Sequence, residues 1–169
     1  MGRLWLYIFT AILPDLNENI MRIAILNGPN LNLLGRREPE IYGTRSMEQV
    51  LLDIQRRHPD IYLEYHQSNH EGDLIDWVQE FGGMSTSLNA EPYDGIILNA
   101  GGYTHTSIAL RDALACIVVP VVELHISDIA QREDFRHVDL LTDVCAKSII
   151  GHGTNGYLEA LEWLIQRKQ

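Results

Sequence analysis

At 169 residues and 46% hydrophobic content, the chain is long enough for one domain with a substantial core. Its formal net charge of −10 argues against sequence-independent binding to nucleic acid or to an anionic membrane, so any site for an anion must build its own positive potential. The two cysteines, Cys116 and Cys145, sit in apolar surroundings without CxxC or histidine spacing, which reads as buried reduced thiols in a cytoplasmic protein.

Residues 1–20 read as an appended extension of open role. The apolar run Leu4 to Leu13 lies behind Arg3 like a signal peptide, but Pro14 ends it and no small-residue cleavage pattern follows. The run is too short to span a bilayer, and Leu6 stands where a myristoylation signal needs Ser or Thr. Met21 therefore begins the domain proper, a single unit over 21–169.

From there strand and helix alternate. Ile23–Leu26 is a short apolar strand. It feeds the loop Asn27 to Gly43 (NGPNLNLLGRREPEIYG), too rich in Gly and Pro for helix or strand. A loop this long in a compact domain is functional or disordered, and its Leu and Ile residues argue for one that packs. Ser46-Met-Glu-Gln49 resembles a capping box opening a helix that ends near His58-Pro59. A second strand follows at Ile61–Gln67, and a helix from about Glu71 to Phe81 is stopped by Gly82-Gly83. Gly95–Asn99 is the third strand, and Thr104 or Thr106 can cap a helix running to about Cys116. Val118–Leu124 is the fourth strand, with Pro120 early in it. A short helix over Asp128–Phe135, a strand at Lys147–Ile150 and an amphipathic helix at Thr154–Lys168 complete the chain. Five strands alternating with helices imply an α/β fold, a parallel sheet covered on both faces.

Ligands of open parallel sheets bind beyond the carboxyl ends of the strands. That rule selects NGPN, QSNH, NAGGYTH and ELHIS, which together concentrate Asn, His and Gly far beyond what chain reversal needs. Asn offers donors and acceptors, Gly admits close backbone approach, and Ser127 at a helix start can hold a carboxylate. The ensemble suits a small polyhydroxylated anion.

Each candidate has a plainer alternative. His105 caps a helix or meets a ligand. His125, flanked by Leu124 and Ile126, alone would read as a core histidine, but Glu123 lies on the same face of the strand. A carboxylate beside an imidazole orients it and raises its pKa, as a general acid requires. Arg36, Arg37 and Arg136 can be solvated charges, and Tyr42 a packing aromatic. His66, His70, His137 and His152 show no metal-ligand spacing. Gly151-His-Gly-Thr-Asn-Gly156 matches GxGxxG, but the chain ends inside the helix that follows, with no second strand and no acid beyond it. It reads as tight strand-to-helix geometry.

The segments NGPNLNLLGRREPEIYG, ILNAGGYTHTSIALRDA, VELHISDIAQREDFR and IIGHGTNGYLEAL, in that order, resemble the type II 3-dehydroquinate dehydratases. The resemblance runs from about Met21 to the C-terminus. It implies a flavodoxin-like fold with strand order 2-1-3-4-5 and trimers packed into a dodecamer. It also implies cofactor-free, metal-free dehydration of 3-dehydroquinate to 3-dehydroshikimate in aromatic biosynthesis or, in some organisms, in quinate breakdown. There is no Schiff-base lysine, consistent with Lys147 and Lys168 lying outside these motifs. By the same matching Tyr42 is the base, Arg37 the arginine that favours its phenolate, Asn30 a holder of the water that meets enolate charge, and His125 the general acid oriented by Glu123. Asn99, His105, Asp112, Ile126, Ser127 and Arg136 would contact substrate, with Ser127 and the Ile126 amide on the carboxylate and His105, Asp112 and Arg136 on ring hydroxyls. The loop bearing Arg37 and Tyr42 would close as a lid. Asp128, where many relatives are expected to carry Asn, adds a negative charge near the carboxylate site while capping the next helix.

Two other functions remain in play. A non-catalytic module of this fold would leave the loop arginine and tyrosine dispensable. A flavin or nucleotide binder would need a phosphate loop after the first strand, for which NGPNLN lacks Gly, Ser and Thr density.

Overall fold

The computed structural model describes residues 20–36, 43–84 and 91–168. The extension expected over 1–20 therefore lies, apart from Ile20, outside the described residues. So do Arg37 and Tyr42.

Five parallel strands form one sheet in the order β2-β1-β3-β4-β5, where β1 is Arg22–Asn27, β2 Tyr62–Gln67, β3 Gly95–Asn99, β4 Val121–His125 and β5 Lys147–Ile150. The described α-helices are α1 (Met47–Arg57), α2 (Glu71–Gln79), α3 (Ile108–Cys116) and α4 (Gly156–Lys168). Alternation along β1 divides the core. Ile23 and Ile25 pack with Val50 and Ile54 of α1 and Leu161 and Leu164 of α4. Ala24 and Leu26 pack with Leu74 and Val78 of α2 and Leu110 and Leu114 of α3. This is the expected flavodoxin-like arrangement, with the switch in strand order between β1 and β3.

Helix ends follow local chemistry. At α1 the predicted capping box forms in both directions: Gln49 N donates to Ser46 Oγ (3.3 Å) and Ser46 N to Gln49 Oε1 (3.0 Å). The α2 helix runs on into a wider turn over Glu80–Met84, where Gly83 takes φ 85° and ends it.

Several boundaries differ from expectation. Residues 101–105 form their own short helical turn, so α3 begins later and is capped by Ser107, whose Oγ accepts from Leu110 N at 2.8 Å, rather than by Thr104 or Thr106. β4 begins at Val121, after Pro120, and Val118 is 90% exposed. The helix expected over 128–135 is two separate turns, Ile129–Gln131 and Asp134–Arg136. Cys116 is exposed, not buried; both thiols are free. The GxGxxG segment is strand-to-helix geometry as read: Gly151 has φ 82°, and a Cβ on Gly156 would lie 2.5 Å from Leu124 Cδ1.

Candidate active site

The carboxyl ends of β1, β3 and β4 open onto one cavity of about 190 Å³. Pro29, Asn30, Leu31 and Leu34 enter from the loop after β1, and Asn99, Gly101, Gly102 and His105 from the end of β3 and its turn. His125, Ile126, Ser127, Ile129, Arg132 and Arg136 enter from β4 and beyond.

The loop after β1 is fixed from two sides. Gly28 N donates to Asn99 O at 2.7 Å, and a Cβ at Gly28 would sit 2.3 Å from Ala100 O, so only glycine allows this approach. Asn30 has φ 67°, the one positive value among the described non-glycine residues, in the left-handed region that Asn tolerates best. Its amide donates to Asn69 Oδ1 at 2.9 Å, and Gln67 Nε2 donates to Gly28 O at 3.1 Å. The QSNH segment thus braces the loop and does not line the cavity.

A buried polar core backs the floor. Tyr157 donates to Asn27 Oδ1 (2.8 Å), and Asn99 Nδ2 donates to the Tyr157 oxygen (3.3 Å). Burial pushes the Tyr157 phenol above its ordinary value, so it serves as a neutral donor.

On β4, Glu123 and His125 share a face as the two-residue period demands. Glu123 Oε1 lies 3.0 Å from His125 Nε2, and Oε2 accepts from Thr142 (2.8 Å) and Ser148 (2.9 Å). Glu123 is wholly buried and His125 nearly so. Asp139 Oδ2 stands 3.4 Å from the same Nε2. Burial alone would lower the imidazole pKa, but the Asp139 and Glu123 carboxylates outweigh it and raise the group to about 9. Asp139 is held well below the usual carboxylate range: burial opposes this, but His125 and the backbone amides at Leu141 and Thr142 overcome it.

Nε2 faces the acids, so Nδ1 is the ring nitrogen available to a ligand. The His105 ring stacks beside it with centroids 6.5 Å apart. His105 Nδ1 donates to Val138 O at 2.7 Å, which leaves its Nε2 for a ligand; it does not cap α3. At the far wall Arg132 Nη1 reaches Ser127 Oγ at 3.4 Å, and Arg136 Nε bonds Glu133 Oε2 at 2.9 Å. The cationic groups of the cavity are each held by an acid: His125 by Glu123 and Asp139, and both Arg132 (3.5 Å) and Arg136 (2.9 Å) by Glu133.

Glu123, His125 and Asp139 are the one group among the described residues with ligand atoms close enough to share a metal. The Glu123 oxygens are already engaged by His125, Thr142 and Ser148, so this donor set fits a charge-paired imidazolium better than a cation.

A sequence model described as dehydroquinase class II matches residues 21–165. The chain is 51% identical over 146 residues to a 3-dehydroquinate dehydratase of Halothermothrix orenii, covering 85% of this chain and 93% of that one. It is also 51% identical over 147 residues to one from an Exiguobacterium species, covering 86% and 95%. A crystal structure of the type II dehydroquinase from Butyrivibrio crossotus superposes with a TM-score of 0.78 at 42% identity, covering 86% of this chain and 98% of that one. The chain belongs to the class II dehydroquinase family.

Of the residues anticipated for this dehydroquinase, Asn30, Asn99, His105, His125, Ile126, Ser127 and Arg136 share the cavity, and Glu123 stands behind His125. Asp112 does not: it is exposed on α3 and does not line the cavity of its own chain. Asp128 is turned to local capping, accepting from Ala130 N (3.0 Å) and Gln131 Nε2 (2.8 Å). Sequence reading missed Arg132 and Asp139. Arg132 lies in extended backbone between the turns Ile129–Gln131 and Asp134–Arg136, so no helical spacing to Arg136 pointed to it.

Proposed function

We propose that this site eliminates water from 3-dehydroquinate to give 3-dehydroshikimate through an enolate, as a step of the shikimate pathway. The observation that carries the reading is the placement of His125, whose Nε2 lies 3.0 Å from Glu123 Oε1 while its ring opens on the same cavity as Ser127, Arg132 and Arg136. An acid that stays protonated at neutral pH is what a departing hydroxyl needs.

In this reading Tyr42, as phenolate favoured by Arg37, takes the proton next to the ketone. The electrons move onto the carbonyl oxygen, and a water held at Asn30 meets the enolate charge. The carbonyl then re-forms, the carbon–carbon double bond closes and the carbon–oxygen bond breaks. His125 Nδ1 gives its proton to the leaving hydroxyl, which departs as water. Each proton transfer contributes roughly 10²–10⁴-fold. Ser127 and the Ile126 amide take the carboxylate, with Arg132 adding charge; Asn99, His105 and Arg136 take the ring. The roles of Arg37 and Tyr42, and lid closure by their loop, rest on the family resemblance alone.

Asp112 acts on substrate only when another copy of the chain brings it there, which suits the dodecamer, a tetramer of trimers, that the resemblance implies. In this reading residues 21–169 act as one catalytic domain and 1–20 are an extension of open role; the family match over residues 21–165 supports the first part. Two free thiols, one of them exposed, support a cytoplasmic setting; no described helix is long and apolar enough to cross a membrane.

A spectrophotometric assay with 3-dehydroquinate tests the reading by following the conjugated enone. Enone formation that resists chelator and borohydride, and collapses in Tyr42→Phe, is expected. Well-folded native protein that makes no enone would hand the site to a binding role.

A further inference from the structure

Asp139 does two things with its two oxygens, and only one has an ordinary explanation. Oδ1 accepts from the amides of Leu141 (2.9 Å) and Thr142 (3.1 Å), closing a turn. An Asn or Ser would serve that turn as well. Oδ2 is buried and has no hydrogen-bond donor of its own, yet it lies 3.4 Å from His125 Nε2. A buried carboxylate oxygen without a donor is costly unless a cation compensates it. The imidazolium is the compensating charge.

We propose that Asp139 is a second positioning carboxylate for His125, clamping Nε2 together with Glu123 so that the ring stays charged and presents Nδ1 to the leaving hydroxyl. This rests on the reading of His125 as general acid.

The surroundings fix the sense of the effect. Glu123 faces the imidazole from β4 and Asp139 from the segment before β5. His105 stacks on it from the turn after β3, and Arg132 and Arg136 share the cavity. Thr104, Thr142 and Ser148, the other groups on Glu123, are uncharged. The nearby Cys145 thiol is pushed up by burial and by the Glu123 and Asp139 charges. Two carboxylates therefore act on one ring nitrogen. When Nδ1 hands its proton to the leaving oxygen, the proton on Nε2 stays with the acids, the tautomer is set, and Nδ1 is re-protonated from solvent. One carboxylate would orient the ring; two keep it charged against burial and against the neighbouring guanidiniums.

The test is the ionisation of His125 in Asp139→Asn and Asp139→Ser, which keep an acceptor for the two amides and lose the charge. Imidazole resonances of labelled protein should show His125 titrating about tenfold or more lower in proton affinity, a drop of one pH unit. The upper limb of the kcat/KM profile should move down with it, so that activity falls far more at pH 9 than at pH 7. Unchanged titration and an unchanged upper limb in folded variants would overturn the clamp. Should neither variant fold, Glu123→Gln decides: a His125 that then titrates like an ordinary imidazole refutes the proposal, and one that stays well above it supports it, since Asp139 is the carboxylate left on Nε2. Chelator-sensitive activity would also refute it, since the carboxylates would then be serving a metal. A native protein that makes no enone removes the dehydratase reading but leaves the imidazole titration to judge the clamp.

Discussion

Asn27 and Tyr157 lie 130 positions apart and meet through a 2.8 Å hydrogen bond at the centre of the fold, with neither side chain reaching solvent. The phenol also receives Asn99 Nδ2 at 3.3 Å, so one hydroxyl ties the ends of β1 and β3 to α4. Tyr157→Phe strands an amide oxygen and an amide donor in a dry interior. The expected cost is about 1–3 kcal/mol of stability, read from urea unfolding. Freed from its partner, Asn99 should also turn in the cavity, raising KM.

Gly28 is where the first active-site loop crosses the third. An added methyl would press on the Ala100 carbonyl at 2.3 Å, a backbone atom that moves only if β1 and β3 part. Gly28→Ala should cost about 1–3 kcal/mol and weaken substrate binding. Gly72→Ala is the control: it lies on α2 with nothing near the added carbon, so it should be neutral or stabilise by up to about 1 kcal/mol. Thermal unfolding of the two variants side by side checks both.

In the proposed reading Arg132 sets a positive charge beside the substrate carboxylate, and Arg136 meets the ring from the same cavity. Replacing either by Gln removes a charged hydrogen bond worth about 1.5–3 kcal/mol, so KM should rise roughly tenfold to a hundredfold. Binding by native protein should weaken with added salt, and by the variants less so. Substrate titration at two ionic strengths makes the comparison.

Much of this was legible because it depends on short-range periods. The two-residue period of a strand put Glu123 beside His125, and the Ser46–Gln49 spacing gave the start of α1. What was missed depends on return paths. Asp139 reaches His125 from an irregular segment whose course no periodicity encodes. The start of α3 was misplaced because the GGYTH segment closes its own turn, in which Ser107 N donates to Tyr103 O at 2.9 Å, and the buried Thr104 turns its hydroxyl towards Glu123, 3.5 Å away. The early valines Val118 and Val119 suggested strand, but Pro120 has no donor and pairing begins only after it. Asp112 was expected at the site from family likeness, and a single chain gives it no route there.

The Glu123–His125–Asp139 cluster should leave a mark on stability as well as on rate. The imidazole pKa is raised to about 9 from 6.5 in the folded state. Its contribution is therefore fully present below pH 6.5 and is lost as pH rises through about 9, with a total on the order of 3 kcal/mol. Asp139 has the opposite sign: its folded pKa is depressed, so its contribution is present above the ordinary carboxylate value of 3.8 and is lost as pH falls below it. Stability should accordingly peak between about pH 4 and 6.5 and decline towards pH 9. His125→Asn removes the titrating ring, so its urea midpoint should lose most of that decline between pH 6 and 9. Equal slopes for native and variant protein over that interval would show that the folded imidazole is not held charged by its two acids.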